Sequence, residues 1–442
     1  MTRKLLITAI VAIATSATAH AGGLMTNTNY HIAFDRMFAR GTSTEIDAAY
    51  SNPAGLAWGH EGWQLSLNFQ KPWQYRNIEA VTTAGTQKFE GKASAPIVPA
   101  LFASYKKGNW AFSTMIGIVG SGGYVEYKEG VPMYNMAVSG MLSQLGILPG
   151  TYNLDSEMKG KQYIYGGQIN ITRKINDNFS AAIGIRANYY DGYYRGHVMA
   201  NNHPQFGELA TLALDVDQRG WGFAPIVSVD YHNGPLTIAA RYEFRTKIET
   251  KNKENMLNAG LGSTLQNYIA QVNPDALNQI ATTLGGSVAA YKDGVKTRYD
   301  MPALFVAAVG YEFSKNLRGA LEYHFFDDTH AKMADERQKT LEHGTHEILA
   351  GIEYDINNKF TVSCGGQRTD YGLSDEYQKD TSFACDSYSV GLGGAWNIND
   401  KLRLNVSYFC TLYSDYNKPA SYGSEIYNRT NNVIGVGIDY KF

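Results

Sequence analysis

The C-terminal segment of this chain alternates strictly between two kinds of side chain. The even positions from Ile434 to Phe442 are apolar, and the odd positions between them are Gly435, Gly437, Asp439 and Lys441. A period of two places the two sets on opposite faces of a β-strand. Because the charged face does not suit the core of a soluble sandwich, the pattern predicts one face for lipid and one for a polar lumen.

The same alternation recurs along most of the chain. In residues 401–408, for example, Leu402, Leu404, Val406 and Tyr408 alternate with charged or polar residues. We therefore predict an all-β fold, a transmembrane antiparallel β-barrel of about fourteen strands. The strands are expected near residues 63–75, 95–107, 109–127, 159–175, 178–198, 216–232, 235–251, 295–313, 316–329, 343–356, 358–370, 383–398, 400–415 and 430–442.

The predicted connections alternate in length. Short turns such as Asn176-Asp177 and Asn233-Gly234 carry the residues that hairpin turns need, and longer polar loops lie between them. Short turns are periplasmic in outer-membrane barrels, so an even strand count places both termini in the periplasm. Two of the long loops, 132–148 and 254–285, carry apolar residues at helical spacing. In the second, Asn273-Pro274 predicts a helix start and Gly285 a helix end.

The N-terminus indicates export. Arg3 and Lys4 precede a short apolar stretch, and Ala19-His20-Ala21 fits a cleavage site, so residues 1–21 are expected to be a signal peptide. A mean hydropathy of −0.30 suits a barrel, whose outer and inner faces cancel, and 31 tyrosines suit aromatic girdles. A net charge of −2 argues against nucleic acid as a partner.

No pattern in the sequence indicates catalysis. The three cysteines are scattered and lack the spacing of metal ligands, and the histidines form no nucleophile–base constellation. The glycine-rich run Gly391-Leu392-Gly393-Gly394 lies within a predicted strand, which is the wrong context for a phosphate loop. We expect no enzyme activity, no cofactor and no metal.

Residues 22–62, ahead of the first strand, mix large apolar and charged side chains. Phe34, Met37 and Phe38 stand close to several acidic and basic residues, a composition that suits neither lipid nor a loose tail. We predict that this segment is a hatch that plugs the lumen, with these three residues as its apolar contacts, and that residues 63–442 form the barrel. The alternative is a disordered or partner-binding tail.

One motif in this segment resembles that of a known family. Asn52-Pro53-Ala54, within the run from Asp47 to Ala57, is similar to the hatch motif of the FadL/TodX family of outer-membrane transporters. Trp221-Gly222-Phe223, Met301-Pro302-Ala303 and the Tyr-x-Phe ending stand in a similar order. The resemblance extends over essentially the whole chain after the signal peptide.

The resemblance implies a monomeric barrel that takes up long-chain fatty acids or aromatic hydrocarbons. It also implies a lateral opening at a kink in the third strand, where Gly120, Gly122 and Gly123 stand in this sequence. Clustered glycines mark a bend or bulge, so a simple curvature is the alternative. We hypothesise that the hatch around Asn52-Pro53-Ala54 contacts this break. The loop after the fifth strand is shorter than the family pattern, which leaves the outer groove and the substrate open.

Strand parity places several arginines in the lumen. Most are expected to pair with acidic neighbours such as Glu243 and Glu322, but a guanidinium could instead bind an anionic head group, and Arg186 and Arg245 are the candidates. Phe442 is expected to be the signal by which the barrel-assembly machinery recognises the chain. Outer-membrane lipid and lipopolysaccharide would surround the barrel. The rival functions are a diffusion porin for small polar solutes and a surface adhesin or phage receptor.

Overall fold

Antiparallel strands make up more than half of the chain that the computed structural model describes, which is residues 30–83 and 85–442. The predicted signal peptide, 1–21, and the first residues of the predicted hatch, 22–29, lie outside this range. The strands form one sheet of 18 segments, and the pairing of β1 with β18 closes it. The segments are β1 Gly62–Thr82, β2 Gly85–Ser94, β3 Val98–Lys107, β4 Trp110–Tyr127, β5 Asn153–Lys174, β6 Phe179–Asn201, β7 Ala210–Asn233, β8 Leu236–Glu243, β9 Glu249–Leu261, β10 Lys296–Arg298, β11 Leu304–Glu312, β12 Leu317–Phe326, β13 Thr345–Asp355, β14 Phe360–Asp370, β15 Ser387–Asn397, β16 Leu402–Tyr413, β17 Tyr416–Ala420 and β18 Gly423–Lys441.

Four pairs of consecutive segments are single barrel strands with an interruption. β2 and β3 both pair with β1 and with β4, and β8 and β9 both pair with β7. In the same way β10 and β11 continue one strand, as do β16 and β17, both of which pair with β18. The barrel therefore has fourteen strands, which confirms the fold expected from the alternating pattern.

The two faces of the wall are those that the alternation predicts. Ile434, Val436 and Ile438 of β18 are about half exposed on the outer face. Asp439 points inward, where its carboxylate accepts hydrogen bonds from Ser66 Oγ (2.6 Å) and Asn405 Nδ2 (2.8 Å). An apolar outer band with a polar, hydrogen-bonded interior is the arrangement that a bilayer requires of a barrel.

Several strands are longer than the sequence predicts. β1 continues to Thr82 and turns into β2 at Gly85, where a loop was expected between residues 75 and 95, and β18 begins at Gly423 rather than near residue 430. These extensions carry charged or polar residues such as Arg76, Asn77 and Glu79. Above the apolar band the outer face is polar, and Ile78 and Ala80 of β1 point inward into an apolar cluster. The alternation is therefore reversed there, and no lipid-facing apolar stripe marks these extensions in the sequence.

In the described part of the chain, the long loops contain three α-helices, α3 Pro132–Gln144, α4 Ser263–Val272 and α5 Pro274–Val288. They also contain short 3₁₀ helices over Ala289–Tyr291, Asp328–His330 and Ala334–Thr340, and further helices near the N-terminus are described below. The expected helical loop at 132–148 is confirmed. In the second loop residues 254–261 are strand instead, because they pair with β7. Asn273 caps α5 by accepting from the backbone N–H of Ala276 (3.2 Å), but Gly285 lies inside that helix and does not end it.

The short turns and the long loops lie at opposite ends of the barrel. We call them the turn end and the loop end. Helices α3, α4 and α5 pack at the loop end in one large apolar cluster with the upper parts of the strands, including Leu142, Leu265 and Ile280. Among the described residues, none of the helices combines the length and the apolar character needed to cross a membrane.

Candidate ligand cavity and hatch

Residues 30–58 lie inside the barrel, and we call them the hatch segment. They form two short helices, α1 Ile32–Met37 and α2 Ala48–Ser51, and a 3₁₀ turn over Pro53–Trp58, and nearly all their side chains are buried. Glycines in the wall let the backbone of α1 approach closely. A Cβ added at Gly351 or at Gly365 would stand 2.1 Å from the carbonyl oxygen of Met37, so these positions admit only hydrogen.

Two ion pairs, one fully buried and one partly exposed, hold the hatch segment to one side of the wall. Arg36 in α1 pairs with Glu353 of β13, and both side chains are almost fully buried. Glu45 pairs with Arg403 of β16, and its other carboxylate oxygen lies 2.7 Å from Arg40. Removing one partner of a buried pair leaves an uncompensated charge and costs about 3–5 kcal/mol. This side of the hatch is therefore firmly docked.

The Asn52-Pro53-Ala54 motif contacts a different part of the wall. Thr172 Oγ1 of β5 donates to the carbonyl oxygen of Pro53 (2.8 Å), and the N–H of Ala54 donates to Ser228 Oγ of β7 (3.1 Å). Asn52 Nδ2 donates to Gly41 O within the hatch (3.0 Å) and to a carboxylate of β7. Ser180 Oγ of β6 donates to the carbonyl oxygen of Ala54 (2.8 Å). The motif is thus a polar attachment to β5, β6 and β7, and other hatch residues approach the break in β4.

The wall is interrupted at the glycines of the third barrel strand. β4 pairs with β3 over Trp110–Gly117 and with β2 over Tyr124–Tyr127, so this ladder skips residues 118–123. On its other side β4 pairs with β5, but the register shifts between Ile118 and Gly120 and again between Ser121 and Gly123. Gly123 has a φ of 71°, which favours glycine. The predicted irregularity at Gly120, Gly122 and Gly123 therefore includes a gap in strand pairing.

Prolines lie on the facing side of this gap, and they are not among the features predicted from the sequence. Pro96 stands between β2 and β3, Pro99 is in β3, and Pro72 is in the neighbouring strand β1. Proline cannot donate to a ladder, so it interrupts pairing. Two prolines inside a predicted strand, 95–107, were the available signal.

A cavity of about 180 Å³ lies in the lumen between the hatch and this gap. Its volume is many times what one water molecule needs. Tyr30, Phe34 and Phe38 line it from the hatch, and Ile118, Val119, Gly120 and Gly123 line it from β4. The facing wall is polar, and its amide and hydroxyl groups belong to Gln70, Gln74, Gln367, Thr369, Ser389, Thr411 and Asn431. A site with one apolar and one polar wall suits an amphiphilic ligand.

Two apolar contacts connect the hatch with the edge of the gap. Val119, the residue at the first register shift, belongs to a buried cluster with Tyr50 and Leu56 of the hatch. Tyr30 packs against the cluster that contains Val98 and Ile118 on the two sides of the gap. A displacement of the hatch would therefore change the side-chain packing at the edges of the gap.

The predicted apolar contacts of the hatch have two different surroundings. Phe34 and Phe38 stack edge to face (ring centroids 5.4 Å apart), and Phe38 meets Phe409 of β16 in the same way (5.6 Å), beside the cavity. Met37 lies instead over the glycines of β13 and β14. Only the two phenylalanines face the candidate site.

The predicted head-group residues lie outside the cavity lining. Arg186 pairs with Glu243 and stands over the ring of Tyr50, with 5.2 Å to its centroid, so it supports the hatch. Arg245 donates to the carbonyl oxygen of His330 in a loop. The arginines that line the cavity are Arg76 and Arg429. Both fall just outside the predicted strands 63–75 and 430–442, so strand parity makes no prediction for them.

Fold and site together define a plugged, fourteen-stranded β-barrel with an interrupted wall beside a lumen cavity, and its fold is similar to that of solved FadL and TodX structures. The chain superimposes on a FadL homologue of Pseudomonas aeruginosa with a TM-score of 0.66 at 14% identity, covering 95% of this chain and all of that one. The toluene transporter TodX of P. putida gives 0.60 at 13% identity, covering 96% and 99%. CymD, a monoaromatic hydrocarbon channel, gives 0.53 at 11%, covering 90% and 93%. No family model and no curated protein matches the sequence. At these identities the likeness concerns the fold.

Proposed function

We propose that this protein is an outer-membrane transporter that takes up hydrophobic compounds, with long-chain fatty acids as the favoured substrates. In this proposal the ligand binds in the lumen cavity, the hatch moves, and the ligand leaves sideways through the gap beside β4 into the bilayer. The barrel would be a monomer with periplasmic termini, inserted by the barrel-assembly machinery among lipid and lipopolysaccharide.

The observation that carries the proposal is that one cavity is lined both by the hatch and by the gap in the wall. Phe34 and Phe38 form its floor, and Gly120 and Gly123 form part of its side. Burying a methylene group stabilises a bound chain by about 0.8 kcal/mol, so capture is favourable and release is the harder step. A hatch that contacts the edge of the gap can couple release to its own position, if its two positions bind ligand with different affinity.

The ion pairs limit which part of the hatch can move. Arg36 and Glu45 are held by charged partners in the wall, and Pro53 and Ala54 by hydrogen bonds. Tyr30 precedes α1, carries a positive φ of 50° and packs at the gap. We expect the movement to be confined to the part around Tyr30, ahead of α1, because α1 itself is held through Arg36.

Two observations bear on the alternatives. Some similar structures are described as toluene or monoaromatic hydrocarbon channels, which makes an aromatic hydrocarbon the second candidate ligand. The polar wall of the cavity favours an amphiphile over such a hydrocarbon. A diffusion porin for small polar solutes would also use a polar wall, but a hatch docked by ion pairs inside the lumen obstructs free diffusion.

The test replaces Gly120, Gly122 and Gly123 together by valine, which should fill the gap and stiffen β4. The matched control is Gly167→Val in β5, where an added Cβ meets no atom within 4 Å. Binding and uptake of radiolabelled hexadecanoate are measured in cells, with heat-dependent gel mobility as the check on folding. We expect the triple variant to lose much more uptake than binding, and the control to lose neither. Normal uptake by a folded triple variant would rule out the lateral route.

A further inference from the structure

Two arginines face each other at the loop end of the cavity. Arg76 in β1 and Arg429 in β18 are direct partners in the antiparallel register, and both line the cavity. Arg76 is buried, and Arg429 is partly exposed. Like charges directly opposite each other on neighbouring strands destabilise a sheet. An anion between the two guanidinium groups would reverse this effect.

Phenol groups lie close to the first arginine of the pair. The strongest electrostatic neighbours of Arg76 are Arg429 and the phenol groups of Tyr127 and Tyr413.

Phenol groups also surround the second arginine. Arg429 stands over the ring of Tyr413, with 4.7 Å to its centroid, and Tyr371 is another of its neighbours. Its Nε atom is buried without a hydrogen-bond partner among the described residues. The ring of Tyr413 therefore covers one face of a guanidinium group that belongs to the cavity wall.

The pair lies well above the apolar part of the site. Arg76 is four residues from Pro72 along β1, which corresponds to about 13 Å of strand. Pro72 is in the lining near the gap, and Phe34 and Phe38 are on the hatch below. A ligand with its charged group at the arginines would therefore direct its apolar chain toward the hatch and the gap.

We infer that Arg76 and Arg429 together bind the carboxylate of an amphiphilic ligand, and so select acids over neutral hydrocarbons. This inference rests on the proposed transport function. Two guanidinium groups can give a carboxylate several charge-assisted hydrogen bonds, which are stronger than bonds between neutral groups. The orientation also has a consequence for release, because the apolar chain enters the gap first and the carboxylate leaves the arginines last.

The test compares two probes with the same chain, hexadecanoate and hexadecanol. Equilibrium binding of radiolabelled probe to purified full-length protein in mild detergent is measured at pH 8, well above the ordinary pKa of a carboxylic acid. For the Arg76→Gln/Arg429→Gln variant we expect hexadecanoate to bind about tenfold or more weakly, because bonds to a charged group are lost. Hexadecanol should bind as it does to the wild type. Replacing both by lysine, which keeps the charge but lacks the fork, should restore part of the hexadecanoate affinity.

The matched control is Arg368→Gln. Arg368 is exposed and also stands over a tyrosine ring, that of Tyr388, with 5.6 Å to its centroid, but it does not line the cavity. It should leave both affinities unchanged. Equal loss of both probes in the double glutamine variant, or undiminished hexadecanoate binding, would overturn the inference. Binding of neither probe to the wild type would instead refute the proposed function.

Discussion

Glu353→Gln should release the hatch from the wall while the barrel stays intact. Glu353 and Arg36 are 1% and 0% exposed at the side chain, so the substitution leaves a buried guanidinium without its counter-charge. Such losses amount to about 3–5 kcal/mol. Ser363 Oγ, 2.6 Å from Arg36, still accepts a hydrogen bond, so the lower end of that range applies. The undocked population should then rise by roughly a hundredfold.

Hydrogen exchange measured by mass spectrometry on detergent-solubilised protein can detect this change. Peptides from residues 30–58 should exchange about two orders of magnitude faster in the variant, and peptides from β5 and β6 should not change. Glu249→Gln is the matched control, because it breaks an exposed pair with Lys296 (2.7 Å) that water already screens. If exchange in residues 30–58 rises by less than about threefold, the buried charge left on Arg36 does not undock the hatch, and the reasoning from the cost of an uncompensated charge fails.

Three further predictions concern the loop end, the wall and the C-terminus. Burial, and then the nearby Glu425, raise the pKa of Asp380 to about 7. The packed conformation of loop 371–386 should therefore lose stability as the pH rises from about 4 to 7. Proteolysis of that loop should be faster at pH 8 than at pH 5, and Asp380→Asn should abolish the difference. Gly351→Val should displace α1, because the new Cβ would meet the carbonyl oxygen of Met37 at 2.1 Å. Faster hydrogen exchange in residues 30–58 would show this displacement, and unchanged exchange would contradict the close approach. Phe442→Ser should lower the amount of assembled protein in the outer membrane, measured by heat-dependent gel mobility. If assembly is unchanged across temperatures, Phe442 is no assembly signal, and its role is limited to packing on Tyr440.

Part of the site could be predicted from the sequence because its signals are local. The glycines of β4 are visible as a cluster, and the mixed composition of the segment around Phe34 and Phe38 excludes a lipid-facing strand. The arginine pair could not be predicted in the same way. Arg76 and Arg429 lie near opposite ends of the chain and meet only because the first and last strands close the barrel in one particular register.

The sequence by itself determined the class of fold. Each strand that crosses a bilayer must present apolar side chains to lipid. The sequence of every strand therefore shows the period of two by itself. That is why fourteen strands could be counted before any contact was known, while the polar extensions above the apolar band were missed.

Only the tertiary structure decided what happens in the lumen. The contact of His31 with Asp439, at 3.1 Å, joins the hatch to the last strand across almost the whole chain. Such contacts depend on strand register, on the direction in which the hatch enters and on which wall residues are glycine. These are properties of the closed barrel, because the lumen forms only when all the strands have paired.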